Sequence, residues 1–360
     1  MRFAKLVPTL VLVGFVVMAC GGSNTGGGTS TPKKIALLLP ESKTARYESK
    51  DRPYFVAKLK ALGFNTDSNL IYSNANQDAP TQQTQAEAAL TNGANVLVLD
   101  PVDGAAAAAI VAKAKAKNVP VISYDRLILG TADLNYYLSF DNAAVGALQG
   151  TALLTALNGK ANAKIVMING DPADNNAKLF KQGAHSILDG KVTIAKEYDT
   201  PSWSPDKAQT EMQGAITAVG KSIDGVYAAN DGTAGGAIAA MKSAGMSPLP
   251  PITGQDAELA AIQRILAGEQ YMTVYKALKA EAEAAATLAF DLATGAAVPA
   301  SMTNGKTTNN GAADIKSVLL TPVAVTKANI KDTVVADGFW TKADICTATF
   351  AAACTAAGIS

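Results

Sequence analysis

Short, almost uninterrupted apolar runs alternate with helix-like segments along most of the chain, and this rhythm restricts the fold more than any other feature. "KKIALLLP", "NVLVLDP" and "VPVISYD" have strand length, and between them lie "RPYFVAKLKALG", "APTQQTQAEAALTNG" and "GAAAAAIVAKAKAKN", with helical length and pattern. Strands separated by helices of this size build βαβ units and a parallel sheet. Their nearly continuous apolar character means that helices cover both faces of that sheet. A second set begins near Asp141. "AKIVMING", "VTIAKEYDT", "GVYAAND", "PPITGQD" and "MTVYK" alternate with "NAKLFKQGAHSILDG", "PDKAQTEMQGAITAVG", "GTAGGAIAAMKSAG" and "AELAAIQRILAG". So many strands exceed one comfortable sheet, and two doubly wound α/β domains are expected. A long helix, "ALKAEAEAAATLAFDLATG", and one late apolar strand, "SVLLTPVAV", follow.

Bulk properties agree. A chain of 360 residues can bury two cores, and 48% hydrophobic with 17% charged residues describes a folded protein. A net charge of +1 leaves no electrostatic footprint for nucleic acid. The single histidine, His185, reads as a structural or surface residue. Without a second histidine or a Cys/His cluster, no metal site is expected. "GTAGGA" lacks the spacing of a phosphate loop, and its glycines read as close packing at a helix start. No cofactor is expected.

The amino terminus carries an export signal. Arg2 and Lys5 precede an apolar run from Leu6 to Ala19, which is short for a bilayer span but suits a signal-peptide core. "VMAC" has the form of a bacterial lipobox, so residues 1–20 read as a lipoprotein signal with Cys20 as the lipidated residue. Residues 21–32, "GGSNTGGGTSTP", are Gly, Ser and Thr rich and read as a flexible tether. With Cys20 lipidated, Cys346 and Cys354 remain as an even pair, and an oxidising compartment favours a disulfide between them. In an unbroken helix they would lie about 12 Å apart along the axis. A disulfide allows about 7 Å between Cα atoms, so the bridge requires a turn or break.

Polar residues collect at the carboxyl ends of the apolar runs: "LLLPESKTAR", "LVLDPVD", "VISYDR", "VMINGDPADNN", "VYAAND", "ITGQD" and "MTVYK". In open parallel sheets, ligands bind in the crevice beyond those ends. An Asp or Asn there can be only a helix cap. Caps do not account for Arg126, Lys276, Trp203 or the adjacent Asp125 and Arg126. Carboxylate, amide, guanidinium and aromatic groups together suit a sugar, whose hydroxyls both donate and accept and whose C–H faces fit aromatic rings. An amino acid, clamped at its two charged ends, fits the same residue types.

"ISYDR", "DNNAKLF", "NDGTAGGAI", "GQDAELAAIQRILAG" and "MTVYK" resemble the periplasmic sugar-binding proteins of the ribose/galactose/xylose class, most of all the D-xylose-binding members, over about residues 33 to 335. The resemblance implies two Rossmann-like lobes joined by a three-crossover hinge, the type I periplasmic binding protein fold. The first lobe would take 33–141 plus 277–322, and the second 142–276 plus 323–360. From the family pattern, Arg46 would bond sugar hydroxyls and Tyr47 would stack where relatives often carry Trp. Asp125 and Arg126 would be first-lobe ligands. Asn176, Asn230 and Asp256 would reach from the second lobe, Lys276 would sit at a crossover, and Trp203 would cover the other sugar face. The chain departs from the pattern at Tyr47, at an extra residue in "RYESKDR" and at "DPVD".

These features imply a monomeric, extracytoplasmic, lipid-anchored binding protein that hands a monosaccharide, D-xylose, to an ABC permease, with no membrane contact beyond the anchor. Docking on a chemoreceptor or sensor kinase is the alternative. An enzyme is not expected: Asp125 beside Arg126 should stay ionised and make a poor proton donor, and no His base accompanies it. A sugar-responsive repressor is excluded because an export signal stands where its DNA-binding helices would be.

Overall fold

The computed structural model describes Met1 and residues 33–359. The export signal, Cys20 and the tether lie outside the described residues. Among those described, no helix is long and apolar enough to cross a membrane.

The first half of the chain runs β1 (Lys34–Leu39), α1 (Arg52–Ala61), α2 (Thr66–Asn69), β2 (Leu70–Asn74), α3 (Ala79–Thr91), β3 (Ala94–Leu99), α4 (Ala108–Ala116), β4 (Val121–Tyr124) and β5 (Tyr136–Phe140). Then follow α5 (Asn142–Leu157), β6 (Lys164–Asn169), α6 (Asn175–Leu188), β7 (Thr193–Asp199), α7 (Pro205–Val219), β8 (Gly225–Ala228), α8 (Asp231–Ser243), α9 (Leu259–Ala267) and β9 (Met272–Tyr275). The last stretch holds α10 (Leu278–Thr294), β10 (Thr307–Asn309), β11 (Asp314–Leu320), β12 (Val323–Thr326), α11 (Lys342–Ile345) and α12 (Ala351–Ala356).

Alternation along the strands shows how two layers of helices are used. In β1, Ile35, Leu37 and Leu39 enter a core shared with α1 and α10, while Ala36 and Leu38 enter another shared with α3 and α4. In β6, Ile165 and Met167 face α5 and α6, while Val166 and Ile168 face α7 and α8. Successive side chains point to opposite faces, and both faces are apolar because both are covered.

The first sheet has the order β10-β11-β5-β4-β3-β1-β2, parallel except for the antiparallel pair β10 and β11. The second contains β7-β6-β8 in parallel. A single bridge, Val226 to Ile252, continues it, and the backbone from Ile252 to Asp256 then hydrogen-bonds β9, which pairs antiparallel with β12. The chain passes between the sheets after β5, between β9 and α10, and between β11 and β12. These are the three crossings of a two-lobed hinge.

Two strand expectations need correction. "PPITGQD" makes one bridge and no full strand, because Pro250 and Pro251 bring no N–H to a ladder. "SVLLTPVAV" is two strands in different sheets, β11 and β12, divided at Thr321 and Pro322. The run reads as continuous because each strand is at least half-buried at most positions, Val323 excepted, not because they are one.

His185 lies on α6, partly exposed, between Asp189 just past the end of that helix at 2.8 Å and Glu197 of β7 at 3.0 Å. Partial burial alone would lower its pKa, but the bonds to Glu197 and Asp189 outweigh that and raise it. A raised histidine contributes stability that is fully present below its unfolded pKa and lost as pH rises through the folded one. Thermal melts are therefore expected to show part of the stability lost from pH 6 to pH 8 disappearing in His185→Gln; an unchanged pH dependence would remove this link between α6 and the edge strand.

Candidate functional site

The strand ends of both sheets converge on one cavity, lined by Thr44, Arg46, Tyr47, Asp125, Arg126, Asp174, Asn176, Phe180, Trp203, Asn230, Gln255, Asp256 and Lys276. All nine residues expected to contact a ligand line this one space. Each arrives for a local reason. Asp125 follows β4 with φ +55°, and its backbone oxygen accepts from Ser139 at 2.6 Å and from Asn176 of the other lobe at 2.9 Å. Asp256 takes φ +93° after its N–H donates to Val274. Positive φ in a non-glycine residue is strained, and here both carboxylates are aimed by it. Asn230 caps α8 by accepting from the Thr233 N–H at 2.8 Å, which leaves its side-chain NH2 as the unengaged donor. Cap and site residue are not alternatives at this position.

Arg46 is the hub. Its Nε donates to Asp51 Oδ2 at 2.9 Å, Nη2 to Asp51 Oδ1 at 2.7 Å and to Glu281 at 2.8 Å, and Nη1 to Asp125 at 3.1 Å. All but one of its N–H donors are engaged, so one remains for a ligand. Nη1 also lies 4.0 Å from Asp256 in the other lobe. Lys276, at the second crossing, stands 3.2 Å from Asp256 and 3.8 Å from Asp125. Two cations and two carboxylates thus interlock across the cleft.

The adjacent Asp125 and Arg126 do not pair, contrary to the sequence reading. At the strand end their side chains diverge. Arg126 instead reaches Asp174 at 3.0 Å in the second lobe, with Asp100 at 3.6 Å and Glu41 at 3.8 Å behind it. Burial alone would raise the pKa of Asp125, yet Arg46, Lys276 and then Arg126 together hold it well below the usual carboxylate range. The acid stays ionised as expected, but other cations are chiefly responsible. Tyr47 donates its hydroxyl to Asp125 at 2.9 Å and accepts from Arg126 at 3.2 Å, so it supplies a polar anchor as well as an aromatic face.

Trp203 follows the turn after β7 with φ +50° and is buried. Its indole N–H donates to Asp174 at 3.1 Å, and its ring meets Phe180 edge-on, centroids 6.3 Å apart. The ring presses so closely on Gly170 that a Cβ there would come within 2.0 Å of it, which explains the glycine ending β6. Burial pushes Asp174 up, partly offset by Arg126 and by the bonds to Asn176 and Trp203. Asp100 and Glu281 are raised well above their ordinary values, again chiefly by burial. Carboxylates outnumber cations around the cavity.

Four lining residues were missed. Asp174 caps α6, as an Asp at a strand end often does, but its other oxygen holds Arg126 and Trp203. Phe180 lies four residues after Asn176 on the same face of α6, a helical spacing that could have revealed it. Gln255 and Thr44 adjoin named motifs without any distinguishing pattern. Away from the cavity, Cys346 and Cys354 are bonded, with Cα atoms 5.9 Å apart, and the break between α11 and α12 allows this.

The lobes are closed on one another. Besides the Arg126–Asp174 pair, Gln77 donates to Asp171 at 2.9 Å and the Gly104 N–H to Ala173 at 3.2 Å.

Known proteins share this architecture. Residues 35–297 match the family model of the periplasmic binding protein domain. A D-xylose-binding periplasmic protein of Escherichia coli is 39% identical over 317 residues, 87% of this chain and 92% of that one. A multiple sugar-binding periplasmic receptor of Rhizobium radiobacter is 33% identical over 330 residues, 86% and 91% of the two chains. Among solved structures, an ABC transporter solute binding protein of Clostridium phytofermentans with bound β-D-glucose superimposes with a TM-score of 0.81 at 28% identity, over 87% of this chain and 100% of that one. The sheet order, the three crossings and these matches agree, and the chain belongs to the periplasmic binding proteins, in their two-lobed type I form.

Proposed function

We propose that this protein captures a monosaccharide, D-xylose, in the cleft between its lobes and delivers it to an ABC permease, tethered outside the membrane through lipidated Cys20. The observation that carries the reading is the cavity itself: residues of both lobes line one buried space with acceptors, donors and aromatic edges interleaved. Asp125 and Asp256 are acceptors for hydroxyls, Arg46, Lys276, Asn176 and Asn230 are donors, and Trp203 and Phe180 offer apolar edges. The xylose-binding relative supports the pentose, and the glucose-bound neighbour marks the hexose as the competing ligand. A ligand touching both lobes favours the closed state by its differential affinity, and the closed state is what a permease reads.

A sensing role is the second reading, favoured by the relative named as a receptor. The closed shape serves both, so partner capture in membranes containing either a permease or a chemoreceptor separates them.

Titration calorimetry against D-xylose, D-glucose and other pentoses and hexoses is expected to give a dissociation constant near micromolar for xylose, about −8 kcal/mol. No heat with any monosaccharide would overturn the reading.

Asp125→Ala is expected to weaken sugar binding by at least about 100-fold, since charge-assisted bonds are strong and the Nη1 of Arg46 loses its partner. The fold should persist, because Arg46 keeps Asp51 and Glu281 while Lys276 keeps Asp256. Calorimetry beside circular dichroism checks both, and normal affinity would remove Asp125 from the site. Trp203→Ala should cost about 1–3 kcal/mol of binding. A loss below about 0.5 kcal/mol would show that the indole does not contact the ligand.

A further inference from the structure

Residues 336–359 lie beyond the stretch matched by the family model, and the cleft described above makes no use of them. They are nevertheless built into the protein. Ile345, Cys354 and Ile359 are buried in a core with Ala257, Ile262 and Tyr275 of the second lobe. Phe339 meets the Tyr275 ring edge-on at 5.1 Å, and the Tyr275 hydroxyl donates to Asp337 at 2.8 Å. The disulfide closes the segment on itself.

Two of its contacts lead to the two loops that bear the site. The Trp340 indole N–H donates to the backbone oxygen of Ala257 at 2.8 Å. Ala257 and Asp256 both have positive φ, +49° and +93°, so this carbonyl belongs to the strained turn that aims the Asp256 carboxylate. On the other side, Lys50 reaches over from the first lobe. Its Nζ lies 3.7 Å from the Trp340 ring centroid and 4.6 Å from that of Phe339, and it donates to the Phe339 backbone oxygen at 2.5 Å. Lys50 sits in the helical turn Tyr47–Asp51, directly after Arg46.

We propose that Lys50 and Trp340 are positioning residues, which clasp the Arg46–Tyr47 turn of one lobe to the Asp256–Ala257 turn of the other and so hold the two halves of the site in register. Neither residue touches the ligand space. An ammonium held between two aromatic rings and a carbonyl resists parting, because opening returns it to water and leaves the rings without their cation. Trp340 acts from the opposite direction, fixing the carbonyl of a turn whose backbone would otherwise relax. The clasp acts on a sugar only if the cleft is a sugar site, but holding the turns in register requires no ligand.

Hydrogen exchange read by mass spectrometry on the full-length chain, without sugar, tests this directly. In Lys50→Met and in Trp340→Phe, peptides covering 44–48 and 255–259 are expected to exchange about fivefold faster, the scale of one partly exposed cation–π contact. Peptides from β3 and β6 should remain at the wild-type rate. Lys50→Arg, which keeps a cation over the rings, should restore most of the protection. Unchanged exchange at both turns in both variants would overturn the proposal, and so would a uniform increase that includes β3 and β6, which is general destabilisation. D-xylose titration of the same variants adds a separate reading, with a roughly fivefold weaker dissociation constant expected. If the wild-type protein binds no monosaccharide, the sugar assignment fails while the exchange result still decides the clasp.

Discussion

A guanidinium buried among carboxylates is the interaction on which the rest of this protein depends. Arg46 is 3% exposed and bonds Asp51, Glu281 and Asp125 at once, with Asp256 at the edge of reach. Burial works against its charge, but those three acids more than compensate, and its pKa is raised. Conversely, without Arg46 the three acids would face one another in a space nearly shut off from water. Removing one partner of a buried pair costs about 3–5 kcal/mol, because the other charge is left unpaired. The arrangement is a poor way to gain stability, since well-packed apolar residues would do as well. It is a good way to hold ionised acceptors in place where a polar ligand must be matched.

The strain in the site has the same logic. Asp125, Asp256, Ala257, Ser202 and Trp203 all have positive φ, and none is a glycine. Each is held from outside: Asp125 by Ser139 and Asn176, Asp256 by Val274, Ala257 by Thr273 and Trp340, Ser202 by Asp171, Trp203 by Asp174. Backbone strain persists only where neighbours over-determine it, and it places side chains in directions that a relaxed loop would not sustain. A site ordered before the ligand arrives saves the entropy of ordering it on binding.

Much of this was legible in the sequence because strand and helix periods speak directly of burial. Ile35, Leu37 and Leu39 against Ala36 and Leu38 already imply a sheet covered on both faces, and the polar residues ending each run imply a crevice beyond it. What failed was anything requiring side-chain direction. Asp125 and Arg126 are neighbours in sequence, yet they serve different partners because both lie in a bend beyond β4, where the positive φ of Asp125 sends the two side chains apart. Asp174 was concealed by its own capping role. "SVLLTPVAV" concealed a crossing, since a residue such as Pro322 interrupts hydrogen bonding without interrupting hydrophobicity. Local patterns report which residues are buried, whereas partners are chosen by the fold.

Closure is the remaining step, and its balance is already visible. The Arg126–Asp174 pair, the Asn176 amide on the Asp125 oxygen, and Gln77 on Asp171 all span the cleft through groups of the protein alone. Because such contacts exist in the closed form and not when the lobes part, they lower the energy difference between the two states. A ligand then needs to supply only the remainder. Too many of them would close the protein on nothing and slow entry; too few would spend the ligand's binding energy on moving the lobes. Asp174 sits at this balance, raised by burial and lowered by Arg126. Burial offsets part of what the Asp174–Arg126 pairing gains, and a cross-lobe contact of small net gain lets a small ligand decide the state of a large protein.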